Sequence, residues 1–221
     1  QALDSNPAAG DGGTPAGPPV AATLLAALAR ILAGAQVRWV GCHPEPCQRI
    51  YFANHTSHLD ALVLWSALPR GLRALTRPVA AKDYWGTGNP RRYLATRVFN
   101  AVLLERVNLD DVGRRQQLDL LLEAMGDRYS LILFPEGTRG AGEEIAPFKS
   151  GLYHLALKRP DVELVPVYLD NLDRILPKGA LIPVPLLSSV SFGSPLRVLP
   201  GEEKDAFLER AREAVRALGS A

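Results

Sequence analysis

The sequence predicts an α/β fold, a layered sheet of mostly parallel strands flanked by helices, and three observations predict it. Short apolar runs alternate with helix-period segments along most of the chain. At 221 residues, the chain is long enough for one domain with a full-sized core. Apolar residues make up 47% and charged residues 22%, the balance of an ordinary globular protein.

The elements follow in order. Residues 1–19 are rich in Ala, Gly and Pro without periodicity and read as a disordered tail or linker, leaving 20–221 as the folded unit. From Val20 to Ala35, Leu24, Leu25, Leu28, Ile31 and Leu32 fall on one helical face with Arg30 opposite. This N-terminal amphipathic helix either caps the core or lies in a bilayer interface. Arg49 to Ala53 reads as a strand, followed by a helix from Ser57 to Ala67. Short strands are expected at Val79–Ala81 and Ala101–Leu104, then a helix from Val112 to Met125, capped by Asp110 or Asp111 and ended by Gly126. Leu131 to Phe134 is a continuous apolar run, and Ser150 to Lys158 is helical. Leu164 to Leu169 is a strand whose Pro166 suggests an edge or a strand end. Val190 to Phe192 is the last strand, and Glu202 to Leu218 an amphipathic terminal helix. No run of eighteen apolar residues occurs, so a transmembrane helix is not expected.

The formal charge of +2 argues against bulk nucleic-acid binding, but the charge is uneven. Between Arg70 and Arg106 eight Lys/Arg stand against Asp83 and Glu105, a local excess of +6. Such a block is either a solvated surface or a face for an anionic partner. Two cysteines, Cys42 and Cys47, are too few for a disulfide framework and fit a reducing compartment. They also lack the partners for a zinc site, and His55, His58 and Asp60 have no further cluster to complete a metal set.

Chemistry concentrates in two segments about eighty residues apart. In Asn54-His55-Thr56-Ser57-His58-Leu59-Asp60, His55 and Asp60 would sit about 140° apart on a continuous helix and could not meet. Ser57 and Asp60 resemble a capping box that starts a helix at Ser57. His55 then lies in the preceding turn, within reach of Asp60, and a histidine so held is a general base. The plainer reading is a capped helix with an incidental histidine. No Gly-x-Ser-x-Gly elbow is present and no serine or cysteine stands out as a nucleophile, so the proton is expected to come from a substrate hydroxyl. In Phe134-Pro135-Glu136-Gly137-Thr138-Arg139, Gly137 permits a tight turn and Arg139 offers a fork suited to phosphate. A structural Glu136–Arg139 ion pair is the alternative.

The His55-x4-Asp60 and Phe134-to-Arg139 segments resemble, in order and spacing, the two signature blocks of the glycerolipid acyltransferase family, which includes the 1-acyl-glycerol-3-phosphate acyltransferases. Smaller segments are similar too: Ala101-Val102-Leu103-Leu104-Glu105-Arg106, Val165-Pro166-Val167, Lys82 in Ala80-Ala81-Lys82-Asp83, and Phe148-Lys149-Ser150-Gly151. The likeness runs from about Gln36 to Phe192. Two departures stand out: Gly140 where a serine is common, and Asn100-Ala101-Val102 in place of a glycine-containing lead.

The resemblance implies that His55, oriented by Asp60, deprotonates a glycerol hydroxyl that attacks an acyl thioester. Lys82, Arg106 and Arg139 would then hold the acceptor phosphate, Glu136 would orient the substrate or the arginine, and Gly137 and Thr138 would join them in binding substrate. The implied product is phosphatidic acid. The implied donor is acyl-CoA or acyl-carrier protein, with no cofactor. Rival readings are the same transfer to a lyso-ornithine lipid or glycolipid, a non-catalytic lipid-binding module, or a hydrolase. Tyr84, Trp85 and Tyr93 beside Arg91 and Arg92 suit a headgroup region, so peripheral or monotopic attachment to an anionic membrane surface, on its cytoplasmic side, is expected.

Overall fold

The computed structural model of the protein describes residues 36–57, 59–85, 92–105, 110–140, 144–170 and 188–220. The expected tail at 1–19 and helix at 20–35 lie outside the described residues, as do His58, Arg91 and Arg106. The strands are β1 (Gln36–Trp39), β2 (Arg49–Ala53), β3 (Thr76–Ala81), β4 (Val102–Leu104), β5 (Ser130–Leu133), β6 (Glu163–Asp170) and β7 (Ser189–Phe192). They form one sheet in the order β1-β7-β6-β2-β5-β3-β4. Every neighbouring pair is parallel except β6 and β7. The helices are α1 (Asp60–Ala67), α2 (Arg70–Ala74), α3 (Lys82–Trp85), α4 (Asp111–Met125), α5 (Gly151–Lys158) and α6 (Lys204–Gly219), with a π-type turn at Leu94–Val98.

The central strands are buried on both faces, as parallel strands covered by helices must be. In β2, Tyr51 and Ala53 pack with Val63, Leu64 and Trp65 of α1, while Ile50 and Phe52 join Met125, Leu155 and Phe207 on the opposite face. α6 presents Phe207, Ala211 and Val215 to the sheet at a spacing of four residues, all fully buried. The Gly113 N–H donates to the Asp110 side chain at 2.8 Å, so Asp110 caps α4, and Gly126 ends it with φ +45°.

Two expectations change, and one strand was not expected. α1 starts at Asp60, not Ser57. Half of the expected capping box forms, because Asp60 accepts the Ser57 N–H at 2.9 Å, but the Ser57 hydroxyl accepts from the Leu59 N–H at 3.3 Å rather than starting a helix. β6 is an interior strand despite Pro166. In a strand the amide nitrogen and carbonyl of one residue point the same way. The Pro166 carbonyl accepts the Gly193 N–H at 2.8 Å, so its missing N–H faces the region just past the end of β7 and spares the pairing with β2. Finally, β1 has no counterpart in the sequence reading. It is short and half-exposed, and it is held in parallel register with β7, where Trp39 stacks on Phe192 with ring centroids 4.0 Å apart.

Candidate active site

β2 and β5 are adjacent and parallel, with Ile50 opposite Leu131 and Phe52 opposite Leu133. The turns that leave their carboxyl ends therefore lie side by side, and these turns carry the two motifs. Ligand sites in open α/β sheets form at such strand ends.

Each motif holds the other in place. The Glu136 side chain, only 4% exposed, accepts the His55 N–H at 2.7 Å and the Ala146 N–H at 3.0 Å. In return the Gly140 N–H donates to the His55 carbonyl at 2.8 Å. The imidazole of His55 stacks on Phe134, with centroids 4.3 Å apart. Glu136 is thus committed to backbone donors, and the alternative Glu136–Arg139 ion pair is absent among the described residues. Burial pushes the Glu136 carboxyl above its ordinary value, while the N–H donors of Ala146 and His55 pull it back.

The fully buried Asp60 gathers three donors on Oδ2: His55 Nδ1 at 2.8 Å, the Thr56 N–H at 2.6 Å and the Ser57 N–H at 2.9 Å. An ionised carboxylate only accepts, so the proton of neutral His55 resides on Nδ1. Nε2 then carries the lone pair, and it has no partner among the described residues. That is the tautomer a general base requires. Asn54, 5% exposed, pins the residue before the base. Its side chain donates to the Leu169 carbonyl at 2.9 Å and accepts the Leu169 N–H at 2.8 Å, extending the β2–β6 pairing by one amide.

The expected substrate residues divide. Gly137 adopts φ +73° in the turn, Thr138 is exposed beside it, and the half-buried Arg139 has no ion-pair partner among the described residues. Lys82 stands at the carboxyl end of β3, where its ammonium pairs with Glu105 at 2.8 Å in an exposed ion pair. Arg106 lies outside the described residues. The basic block does not act as one face: Arg77 turns inward, donating to the carbonyls of Asn100 at 2.8 Å and Ala124 at 2.9 Å. An open cavity of about 520 Å³ runs from His55, Thr56 and Glu136 past Tyr168 to Arg212 and Arg216 of α6.

Both departures from the resembled pattern have local explanations. Asn100 has φ +50°, the left-handed region where asparagine is the usual substitute for glycine. At Gly140 an added Cβ would meet its nearest neighbour, Glu136 Oε2, at an ordinary 3.5 Å, so the space admits a small side chain. The sequence reading passed over Asn54 and Phe134 as site residues, although both lie within the quoted motifs. It also passed over Ala146, whose backbone contact leaves no mark in residue type.

Residues 43–170, more than half of the chain, match the family model described as Acyltransferase. Among curated relatives, 1-acyl-sn-glycerol-3-phosphate acyltransferase of Cocos nucifera is 28% identical over 160 residues, covering 70% of this chain and 48% of its own length. The enzyme of the same name from Limnanthes alba is 29% identical, with 75% and 56% covered. The alpha form of Mus musculus is 28% identical, with 67% and 50% covered. The chain thus spans about half the length of the curated relatives it matches. The crystal structure of the 1-acyl-sn-glycerophosphate (LPA) acyltransferase PlsC from Thermotoga maritima shares the fold, with a TM-score of 0.67 at 21% identity over 91% of this chain and 78% of that one. With the sheet, the two interlocked turns and this match in agreement, the chain belongs to the acyltransferase family.

Proposed function

We propose that this protein transfers a fatty acyl group from an acyl thioester to the free hydroxyl of 1-acyl-glycerol-3-phosphate, giving phosphatidic acid. The observation that carries this reading is the His55–Asp60 pair, with Nδ1 engaged and Nε2 open. The names of the curated relatives support the choice of acceptor. His55 Nε2 takes the proton of the acceptor hydroxyl as its oxygen attacks the thioester carbonyl carbon. The tetrahedral intermediate collapses with cleavage of the C–S bond, and the imidazolium returns its proton to the departing thiolate. Asp60 keeps the ring in the required tautomer and offsets the imidazolium charge, and a base of this kind contributes about 10²–10⁴ in rate. A thiol with a pKa of about 8.5 leaves readily, so no second acid and no acyl-enzyme are needed.

Arg139 is the first candidate for the acceptor phosphate, with Lys82, at the carboxyl end of β3, and Arg106 as further cations. Glu136, Gly137 and Thr138 shape the turn they share. The donor is acyl-CoA or acyl-carrier protein. We assign the protein to the cytoplasmic face of a membrane, held peripherally or monotopically. Among the described residues no helix is long and apolar enough to cross a bilayer. Tyr93 is 49% exposed with exposed Arg92 beside it, a pairing suited to anionic headgroups. A thiol-release assay crossing both donors with lysophosphatidate, a lyso-ornithine lipid and a glycolipid tests the reaction. Release that depends on lysophosphatidate supports it, whereas equal release without acceptor points to hydrolysis. Flotation with anionic vesicles at low salt tests the attachment, and failure to float would remove it.

A further inference from the structure

Lys149 lies across the motif turn with no ion pair among the described residues to hold its ammonium there. The stem passes over Gly137: a Cβ built on that glycine would stand 2.5 Å from Nζ, 2.7 Å from Cε and 2.9 Å from Cδ. The chain does not need this side chain to stay in place, because the Lys149 backbone N–H already donates to the Pro135 carbonyl at 2.9 Å. The residue is exposed, so its ammonium is free to choose solvent. Instead it rests on the turn with no carboxylate partner among the described residues. Glu136 spends both oxygens on the His55 and Ala146 N–H groups, and Glu144, the nearest described acid in sequence, makes no ion pair with Lys149.

Among the described residues the turn thus carries one committed carboxylate, Glu136, and two cations without an ion-pair partner, Arg139 and Lys149, with the exposed Glu144 close by in the chain. The backbone N–H groups of Thr138 and Arg139 are also without hydrogen-bond partners among the described residues. Cations without ion-pair partners beside a glycine turn with open amide donors favour a doubly charged oxyanion. Lys82, by contrast, already has Glu105.

We propose that Lys149 is a further anion-binding residue of this site, pairing with Arg139 on the monoester phosphate of the acceptor. The glycine at 137 then has two uses: it allows φ +73°, and it leaves the surface bare so that the lysine stem can cross it. This inference rests on the acyl-transfer reading for the identity of the phosphate, since a thioester donor with phosphates offers the same chemistry from another source.

The test uses the full chain with Lys149→Met, which keeps the stem and removes the charge, and Lys149→Arg, which keeps the charge. Calorimetric binding of glycerol 3-phosphate and of coenzyme A is measured separately, alongside KM for lysophosphatidate and for acyl-CoA. Lys149→Met is expected to weaken glycerol 3-phosphate binding and raise KM for lysophosphatidate by about tenfold or more. Coenzyme A affinity should stay within about twofold of wild type, and Lys149→Arg should recover most of the loss. Three results overturn the inference: glycerol 3-phosphate binding that is unchanged in Lys149→Met, binding that is absent from the wild type, or a loss that falls on coenzyme A instead. A wild type that binds glycerol 3-phosphate through Lys149 yet transfers no acyl group would overturn the acyl-transfer reading and leave the phosphate site standing.

Discussion

His55 Nδ1 stands 2.8 Å from Asp60 Oδ2, although residues five apart cannot face one another on a single helix. The pair forms because α1 begins at Asp60 itself, so its carboxylate looks back over the turn that holds His55. The same oxygen collects the Thr56 and Ser57 N–H groups. Asp60→Asn presents an NH₂ group to donors or gives up charge at the one oxygen that three donors share. It is expected to lower kcat by about 10²–10⁴ and to destabilise the fold by about 1–3 kcal/mol. His55→Ala should lower kcat similarly while leaving the melting transition near wild type. Steady-state assays and thermal melts check both, and turnover near wild type in a folded His55→Ala would remove the general-base role.

Asn54 carries a separate prediction. Truncation to Ala leaves the buried N–H and carbonyl of Leu169 without their partners, which costs about 1–3 kcal/mol. The strand end that feeds His55 also loses its anchor, so kcat should fall more than KM rises. Denaturant unfolding together with a kcat and KM comparison measures this. A stable variant with normal kcat would mean that β2 needs no tie to β6 beyond Ala53.

Glu136 has a pH signature of unusual sign. Its folded carboxyl ionises above the ordinary value of 4.5, chiefly because burial penalises the charge. Between the two values the folded chain keeps a proton that the unfolded chain has released. The stability this group contributes is therefore full below pH 4.5 and is lost as pH rises through the folded pKa. A carboxyl ¹³C titration by NMR, assigned with Glu136→Gln, should place the midpoint above 4.5. A midpoint at or below that value would mean that the two N–H donors outweigh the loss of water.

Asn100 offers a backbone prediction. With φ +50°, Asn100→Gly should be neutral or slightly stabilising, whereas Asn100→Val should destabilise by about 1–2 kcal/mol. Equal melting temperatures for the two variants would contradict the left-handed assignment.

Local chemistry made much of this molecule legible. The segments Arg49–Ala53 and Leu131–Phe134 read as strands from their apolar runs, and the strands found there, β2 and β5, are buried on both faces. Asp110 and Gly126 marked the ends of α4 because a cap and a breaker act within one turn. The motif residues were readable for the same reason: a base and its carboxylate five positions apart interact almost wholly through local chain geometry. Pro166 misled, because a proline signals only that one N–H is missing, not which neighbour would have needed it. β1 escaped because its placement depends on Phe192 and β7, some 150 residues away.

The sequence by itself determined the alternation of strands and helices and marked His55, Asp60 and Gly137 as turn residues with chemistry, because those signals act within a few residues. Only the tertiary structure decided that β2 lies between β5 and β6. That adjacency gives Glu136 the His55 N–H and gives Asn54 the Leu169 backbone. Strand order is chosen by the summed burial of whole faces rather than by any one residue, so no single position in the chain carries it.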